Sequence, residues 1–201
     1  MKIIGGRFKG RKLYAPPGNN TRPTPGKVRE AVFNICAAKV TGACVADLFA
    51  GTGAMGIEAL SRGAENAVFI ESDIKTCRLI KKNLALCRAE DRASVLCRDL
   101  LRGPEAVCGP DLTFSLVFLD PPYNRGALAP ALENLVKSGS LAPAAMVIIE
   151  HARAEPVPKD LPGLDVFDVR RYGKTLVTFM SYMIANVKPV QTEAGQRSEG
   201  H

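Results

Sequence analysis

Apolar positions along this chain switch repeatedly between short continuous runs and a helical period, so buried strands should alternate with amphipathic helices. A first helix is predicted from Lys27, because Val28, Ala31, Val32, Ile35 and Cys36 recur at i, i+3, i+4, i+7 and i+8, with Thr24 as its cap and Pro25 in its first turn. A buried strand opens at Cys44 and breaks into a glycine-rich loop, after which a helix over 54–62 is ended by Gly63. A second strand spans 67–71, and Asp73 caps the next helix. There Ile74, Cys77, Ile80, Leu84 and Cys87 face inward while Lys75, Arg78, Lys81, Lys82 and Arg88 stay wet. Strands follow at 94–97 and 115–119. Leu128, Ala131, Leu132, Leu135 and Val136 then trace a helix, and a fifth strand is predicted at 146–150.

Residues 164–169 and 175–183 form two β-rich runs around Arg170-Arg171-Tyr172-Gly173-Lys174, a hairpin signal. Five β-α repeats followed by a hairpin predict an α/β fold: a mostly parallel seven-stranded sheet ending in antiparallel strands, the Rossmann-like layout of class I methyltransferases. Residues 1–26 read as a small basic N-terminal hairpin or arm, residues 27–185 as the main domain and residues 186–201 as a polar disordered tail.

The chain has 201 residues, 46% of them hydrophobic, which suits one domain with a proper core. The apolar runs are too short to span a bilayer, and the start lacks a signal-peptide core, so a cytoplasmic protein with no membrane partner is expected. The net charge of +7 points to a polyanionic partner. The basic residues cluster near the start: Lys2, Arg7, Lys9, Arg11, Lys12, Arg22, Lys27 and Arg29 all precede the first acidic residue, Glu30. Six cysteines without a C-x-x-C pair, and only His151 and His201, make a metal site unexpected and reduced thiols the natural reading.

The chemistry centres on residues 44–56, Cys-Val-Ala-Asp-Leu-Phe-Ala-Gly-Thr-Gly-Ala-Met-Gly. Gly51, Gly53 and Gly56 satisfy G-x-G-x-x-G, with Glu71 twenty residues after Gly51, so a dinucleotide oxidoreductase must be weighed. Asp47 tips the balance. A carboxylate at the cradle repels a pyrophosphate but pairs with an ammonium group, which favours S-adenosylmethionine; capping of the local turn is the structural alternative. Asp47, Glu71, Asp99 and Asp120 each fall at or just after a predicted strand end, so they should gather along one rim of the sheet. Glu71 suits ribose hydroxyls, and Asp99 suits either the adenine amine or a cap for a helix starting at Leu100.

Asp120-Pro121-Pro122-Tyr123 is the sharper signal. Prolines stiffen the backbone and supply no N–H, leaving carbonyls and a carboxylate as acceptors for an exocyclic amine, with Tyr123 available to stack on the base. With Asp47-Leu-Phe-Ala-Gly-Thr-Gly, this motif resembles the amino-methyltransferases of DNA adenine N6 and RNA guanine N2. Residues 22–35, Arg-Pro-Thr-Pro-Gly-Lys-Val-Arg-Glu-Ala-Val-Phe-Asn-Ile, together with residues 58–64 and Tyr172-Gly173-Lys174-Thr175, are similar to the RsmD family of bacterial 16S ribosomal RNA guanine-N2 methyltransferases.

The resemblance covers about residues 2–184. Gly26 and Lys27 stand where that family usually has an acidic residue and an arginine, and Tyr123 where Phe is commoner. It implies an S-adenosylmethionine cofactor held by Asp47, Phe49, Gly51, Thr52, Gly53, Gly56, Glu71 and Asp99. Asp120, Pro121, Pro122 and Tyr123 would orient the base, and Arg7, Lys9, Arg11, Lys12, Arg22, Lys27 and Arg29 would meet phosphates. The expected partner is 16S rRNA in the small subunit or an assembly intermediate, and the expected state is a monomer. A DNA adenine-N6 methyltransferase, an NAD(P)-dependent oxidoreductase and a non-catalytic RNA-binding module are the alternatives.

Overall fold

The structure, a computed structural model, describes residues 1–16, 26–107, 113–123, 125–158 and 160–183. The apolar runs form β1 (Cys44–Leu48), β2 (Asn66–Glu71), β3 (Ala93–Cys97), β4 (Phe114–Leu119) and β5 (Leu141–Ala152), followed by β6 (Leu164–Tyr172) and β7 (Thr175–Tyr182). They make one seven-stranded sheet in the order β3-β2-β1-β4-β5-β7-β6. β3 through β5 are parallel, whereas β7 pairs antiparallel with both β5 and β6. The amphipathic segments become α1 (Gly26–Ile35), α2 (Ala37–Val40), α3 (Ala54–Ser61), α4 (Ile74–Cys87) and α5 (Leu128–Lys137).

Each strand of a doubly covered parallel sheet sends alternate side chains into two cores. Val45, Phe69, Leu116, Phe118 and Ile148 pack under α1, α3 and α4, while Leu48, Ile70, Val117, Leu119 and Val147 pack under α5. Asp73 caps α4 as expected, accepting from Thr76 N at 2.7 Å.

Two elements differ from expectation. β5 begins at Leu141 rather than near 146, because the ladder with β4 shifts register between Phe114 and Leu116; that irregularity admits Pro143 into a strand. No helix starts at Leu100: Gly103-Pro104 interrupts the segment, which forms a turn and a 3-10 element at Pro104–Ala106. The capping residues proposed for α1, Thr24 and Pro25, lie outside the described residues, as does the tail at 186–201.

The N-terminal segment is a small antiparallel turn joined at Lys2 and Lys12, with Ile3 N donating to Arg11 O at 3.0 Å and Leu13 N to Met1 O at 2.8 Å. It is docked rather than free, since Ile3, Phe8 and Leu13 are buried in the same core as α1, α3 and α4. Gly6 adopts φ +71° and passes so close to the end of α3 that a Cβ there would overlap the Ser61 carbonyl. The docking is fastened by Glu58, a fully buried acid on α3, and by Ser61, whose hydroxyl accepts from Phe8 N at 2.8 Å. The Glu58 carboxylate accepts from Ile4 N at 2.8 Å and Gly5 N at 2.7 Å and pairs with Arg62 Nε at 2.8 Å. Arg29, 2% exposed, lies 3.7 Å from the same carboxylate and donates to Lys2 O.

Truncating one member of a buried ion pair strands the others, at about 3–5 kcal/mol. Glu58→Ala should therefore lower the unfolding free energy in urea by about that amount. Hydrogen exchange at the Ile4 and Gly5 amides should accelerate; unchanged protection there would show that the apolar contacts of Ile3 and Phe8 alone hold the turn.

Candidate active site

Parallel strands in register must end on the same side, and here their carboxyl ends bring the predicted acids together. Asp47 lies opposite Phe69, Glu71 opposite Cys97, and Leu119 opposite both Leu48 and Ile149, so Glu71, Asp99, Asp120 and Glu150 follow along one edge.

The β1-to-α3 turn is built around Asp47. Its side chain, 4% exposed, accepts from Gly56 N at 2.9 Å, tying the strand to the first turn of α3. Capping of the turn is thus part of its role. Burial pushes the Asp47 carboxyl up to about 7 against the lowering effect of the Gly56 amide, and the charge of Glu71 adds to the rise.

The glycines divide their duties. A Cβ at Gly56 would overlap the Phe69 ring, so this glycine lets α3 sit on the sheet, whereas the position a Cβ would take on Gly51 is open. Phe49 carries φ +57°, a conformation unusual for a bulky residue, and is packed half-buried against the α5-side core. Thr52 is half-buried, and its carbonyl accepts from Asn83 Nδ2 at 2.9 Å.

Glu71 is preorganised by backbone amides: Gly51 N donates to one oxygen at 3.0 Å, and Ser72 N and Asp73 N donate to the other at 2.9 and 3.1 Å. Asp99 accepts from Leu101 N at 3.0 Å beside an open depression of about 620 Å³ lined by Ser72, Cys97, Arg98, Arg102, Glu105 and Ala106. Glycine turn, Glu71 and this depression adjoin one another, and the residues fit S-adenosylmethionine: the acceptors are carboxylates, suited to an ammonium group, ribose hydroxyls and an adenine amine.

Asp120 and Pro121 follow β4 directly, with Asp120 half-buried, Pro121 buried and Pro122 exposed. Tyr123 turns back toward the sheet and donates its hydroxyl to Glu150 Oε1 at 2.7 Å, with Thr175 Oγ1 at 3.5 Å. Burial pushes the Tyr123 phenol upward, and Glu150 reinforces the shift, so Tyr123 remains a neutral donor.

The expected phosphate contacts separate into groups. Arg7, Lys9, Lys12 and Lys27 are exposed. Arg11 is half-buried, donating to Leu86 O with its guanidinium 5.4 Å from the Phe8 ring. Arg29 is corrected: its buried guanidinium faces Glu58 rather than solvent. Arg22 lies outside the described residues.

Three residues escaped the sequence reading. Glu58 was signalled by its isolation on an apolar helix. Asn83, 0% exposed, was signalled by its place on the inward face of α4 between Ile80 and Leu84; it accepts from Tyr14 N at 2.8 Å and donates to Tyr14 O at 3.1 Å and to Thr52 O, joining the N-terminal turn to the glycine loop. Glu150 stood at the end of a predicted strand like the other acids. Among the described residues, no group of three or more His, Cys, Asp or Glu is arranged to hold a metal ion, and no helix is long and apolar enough to cross a membrane. His151 is buried, its Nε2 2.8 Å from Thr178 Oγ1 and its Nδ1 2.9 Å from Glu155 O.

Residues 1–181 match the family model described as Conserved hypothetical protein 95, and the Escherichia coli K12 protein named "Ribosomal RNA small subunit methyltransferase D" is 37% identical over 150 residues, covering 75% of this chain and 74% of that one. The chain belongs to the RsmD family. YlbH of Bacillus subtilis is 36% identical over 175 residues, covering 87% and 95% of the two chains. The solved structure of Escherichia coli yhhF superposes with a TM-score of 0.80 at 32% identity, covering 92% of this chain and 99% of that one. The fold is that of the class I S-adenosylmethionine-dependent methyltransferases.

A cation pairs with the ionised form of Asp47. Because that carboxyl is raised to about 7, a positively charged ligand group should bind more tightly as pH rises through 7 and level off above it. Titration with S-adenosylhomocysteine should therefore show roughly tenfold weaker binding at pH 6 than at pH 8. Asp47→Asn should flatten this dependence; a variant that keeps the full slope would remove Asp47 from the contact.

Proposed function

We propose that the protein transfers a methyl group from S-adenosylmethionine to the N2 amine of a guanine in small-subunit ribosomal RNA. The observation that carries this reading is the adjacency of two sites on one strand edge: the glycine turn with Glu71, and the acceptor cluster of Asp120, Pro121 and Glu150, to which Tyr123 donates. Family membership and the printed name of the Escherichia coli relative support rRNA as the acceptor, and the RsmD resemblance supports guanine N2.

The cofactor contributes a methyl group activated by a sulfonium centre, which departs as a neutral thioether. Asp47 and the glycine turn hold the amino-acid part of that molecule, Glu71 holds the ribose, and Asp99 receives the adenine amine. The Asp120 carboxylate and the Pro121 carbonyl accept from the guanine amine, so its nitrogen is positioned for attack. Bound S-adenosylmethionine would supply the electrophilic methyl carbon to this nitrogen, and the amine's surplus proton would pass to Asp120 or to water. Placement supplies most of the acceleration, so Asp120 needs no strongly altered acidity.

Tyr123 is held at Glu150, which steadies the ring beside the acceptors. Exposed Arg7, Lys9, Lys12 and Lys27 meet phosphates and contribute affinity without base choice.

Nucleoside mass spectrometry after incubation with S-adenosylmethionine and unmethylated small subunits, free 16S rRNA or duplex DNA tests the reading. N2-methylguanosine is expected in RNA, whereas N6-methyladenine in DNA would replace it with the adenine enzyme. Asp120→Ala should slow transfer by about 10²-fold while leaving the affinity for S-adenosylhomocysteine unchanged.

A further inference from the structure

The β6–β7 turn is antiparallel to β5, and its register brings it to the edge where the chemistry sits. Ala152 lies opposite Thr175, and Tyr172 lies opposite Thr175 on the other side. Thr175 Oγ1 is 3.5 Å from the Tyr123 hydroxyl, so the turn stands against the Asp120-Pro121-Pro122-Tyr123 segment. Just beyond this point come Arg153, which follows β5, and Lys174, which precedes β7. Both are exposed, as are Arg171 in β6 and Arg125 in the segment after Tyr123. Four cations from three segments thus stand within two positions of Tyr123, of Thr175 or of a residue paired with Thr175.

Their partners sharpen the picture. Arg170 is paired with Asp168 at 2.8 Å, and Arg171 Nε donates to Gly173 O at 3.1 Å, which shapes the turn. Among the described residues, no ion pair engages Arg125, Arg153 or Lys174. Glu150, the nearest acid on β5, is occupied by the Tyr123 hydroxyl. The surface therefore has acceptors at its centre and unpaired cations at its rim, complementary to a nucleotide displaced from its stack: an amine-bearing base edge inward and phosphates outward.

We infer that Arg153, Lys174, Arg171 and Arg125 form a second phosphate-binding surface, separate from the basic N-terminal turn, that grips the RNA backbone flanking the target nucleotide. This rests on the rRNA reading above and adds a location to it. The N-terminal turn is seated on α3 and α4, with Arg7 N donating to Ser61 O and Arg11 to Leu86 O at the ends of those helices away from the glycine loop, whereas the rim residues adjoin the acceptor cluster.

Counterion release provides the test. The full chain, saturated with S-adenosylhomocysteine, is titrated with labelled, unmodified 16S rRNA transcript over a range of KCl. Arg153→Ala with Lys174→Ala is compared with Lys39→Ala with Lys137→Ala, which removes the same charge from α2 and the end of α5, at the opposite edge of the sheet. Each lost phosphate contact lowers the magnitude of the log–log slope by roughly 0.7–0.9, so the rim variant should lose about 1.4–1.8 and the control pair should retain the wild-type slope. Equal slopes in the two variants would overturn the inference. Absence of any methylated RNA nucleoside from the wild-type enzyme would instead overturn the functional reading, which the binding slopes do not address. Matching thermal midpoints and S-adenosylhomocysteine affinities ensure that a changed slope reports RNA contact and not unfolding.

Discussion

Five neighbouring parallel strands cannot end at different edges of a sheet. From that constraint follows nearly everything functional in this molecule. The parallel ladders linking β3, β2, β1, β4 and β5 carry residues distant in sequence to one line, with Glu71, Asp99 and Asp120 at or just past the strand ends, Asp47 one residue inside and Glu150 two. The reversed β7 then returns the chain to the same edge and places Thr175 beside Tyr123. An antiparallel partner is what allows a hairpin turn, rather than another helix crossover, to border the site.

A second requirement is that the N-terminal turn be held in place against the main domain. The N-terminal turn is a short segment that could not bury enough surface to order itself alone. Ile3, Phe8 and Leu13 lend it to the main core, while Glu58 and Asn83 satisfy its backbone amides. The pair act at different places. Glu58 gathers Arg29 and Arg62 beneath the turn, whereas Asn83 connects Tyr14 to the Thr52 carbonyl in the glycine loop. The N-terminal turn is thereby attached through one side chain to the glycine loop.

Electrostatics divide the edge into zones. Buried or backbone-bound carboxylates occupy the centre, where donors and cationic centres of small molecules are best received. Exposed cations occupy its borders, where phosphates can reach them while retaining much of their hydration. The upward shift of the Asp47 pKa reflects the cost of the arrangement: a buried carboxylate with a single amide partner is incompletely compensated, so a cationic ligand gains by supplying the missing charge.

The sequence by itself determined the alternation of strands and helices, the terminal hairpin, the glycine turn and the acids at strand ends, because period, glycine spacing and turn chemistry are local properties of the chain. It also carried the family signature in residues 22–35 and 120–123. Only the tertiary structure decided that Arg29 is an internal counter-ion rather than a phosphate contact, since its exposure depends on Glu58, far along the chain. The same holds for β5 starting early at its irregular register and for the Tyr123 hydroxyl meeting Glu150. Each depends on strand order and register, which arise from packing between distant segments and leave no period in the residues themselves.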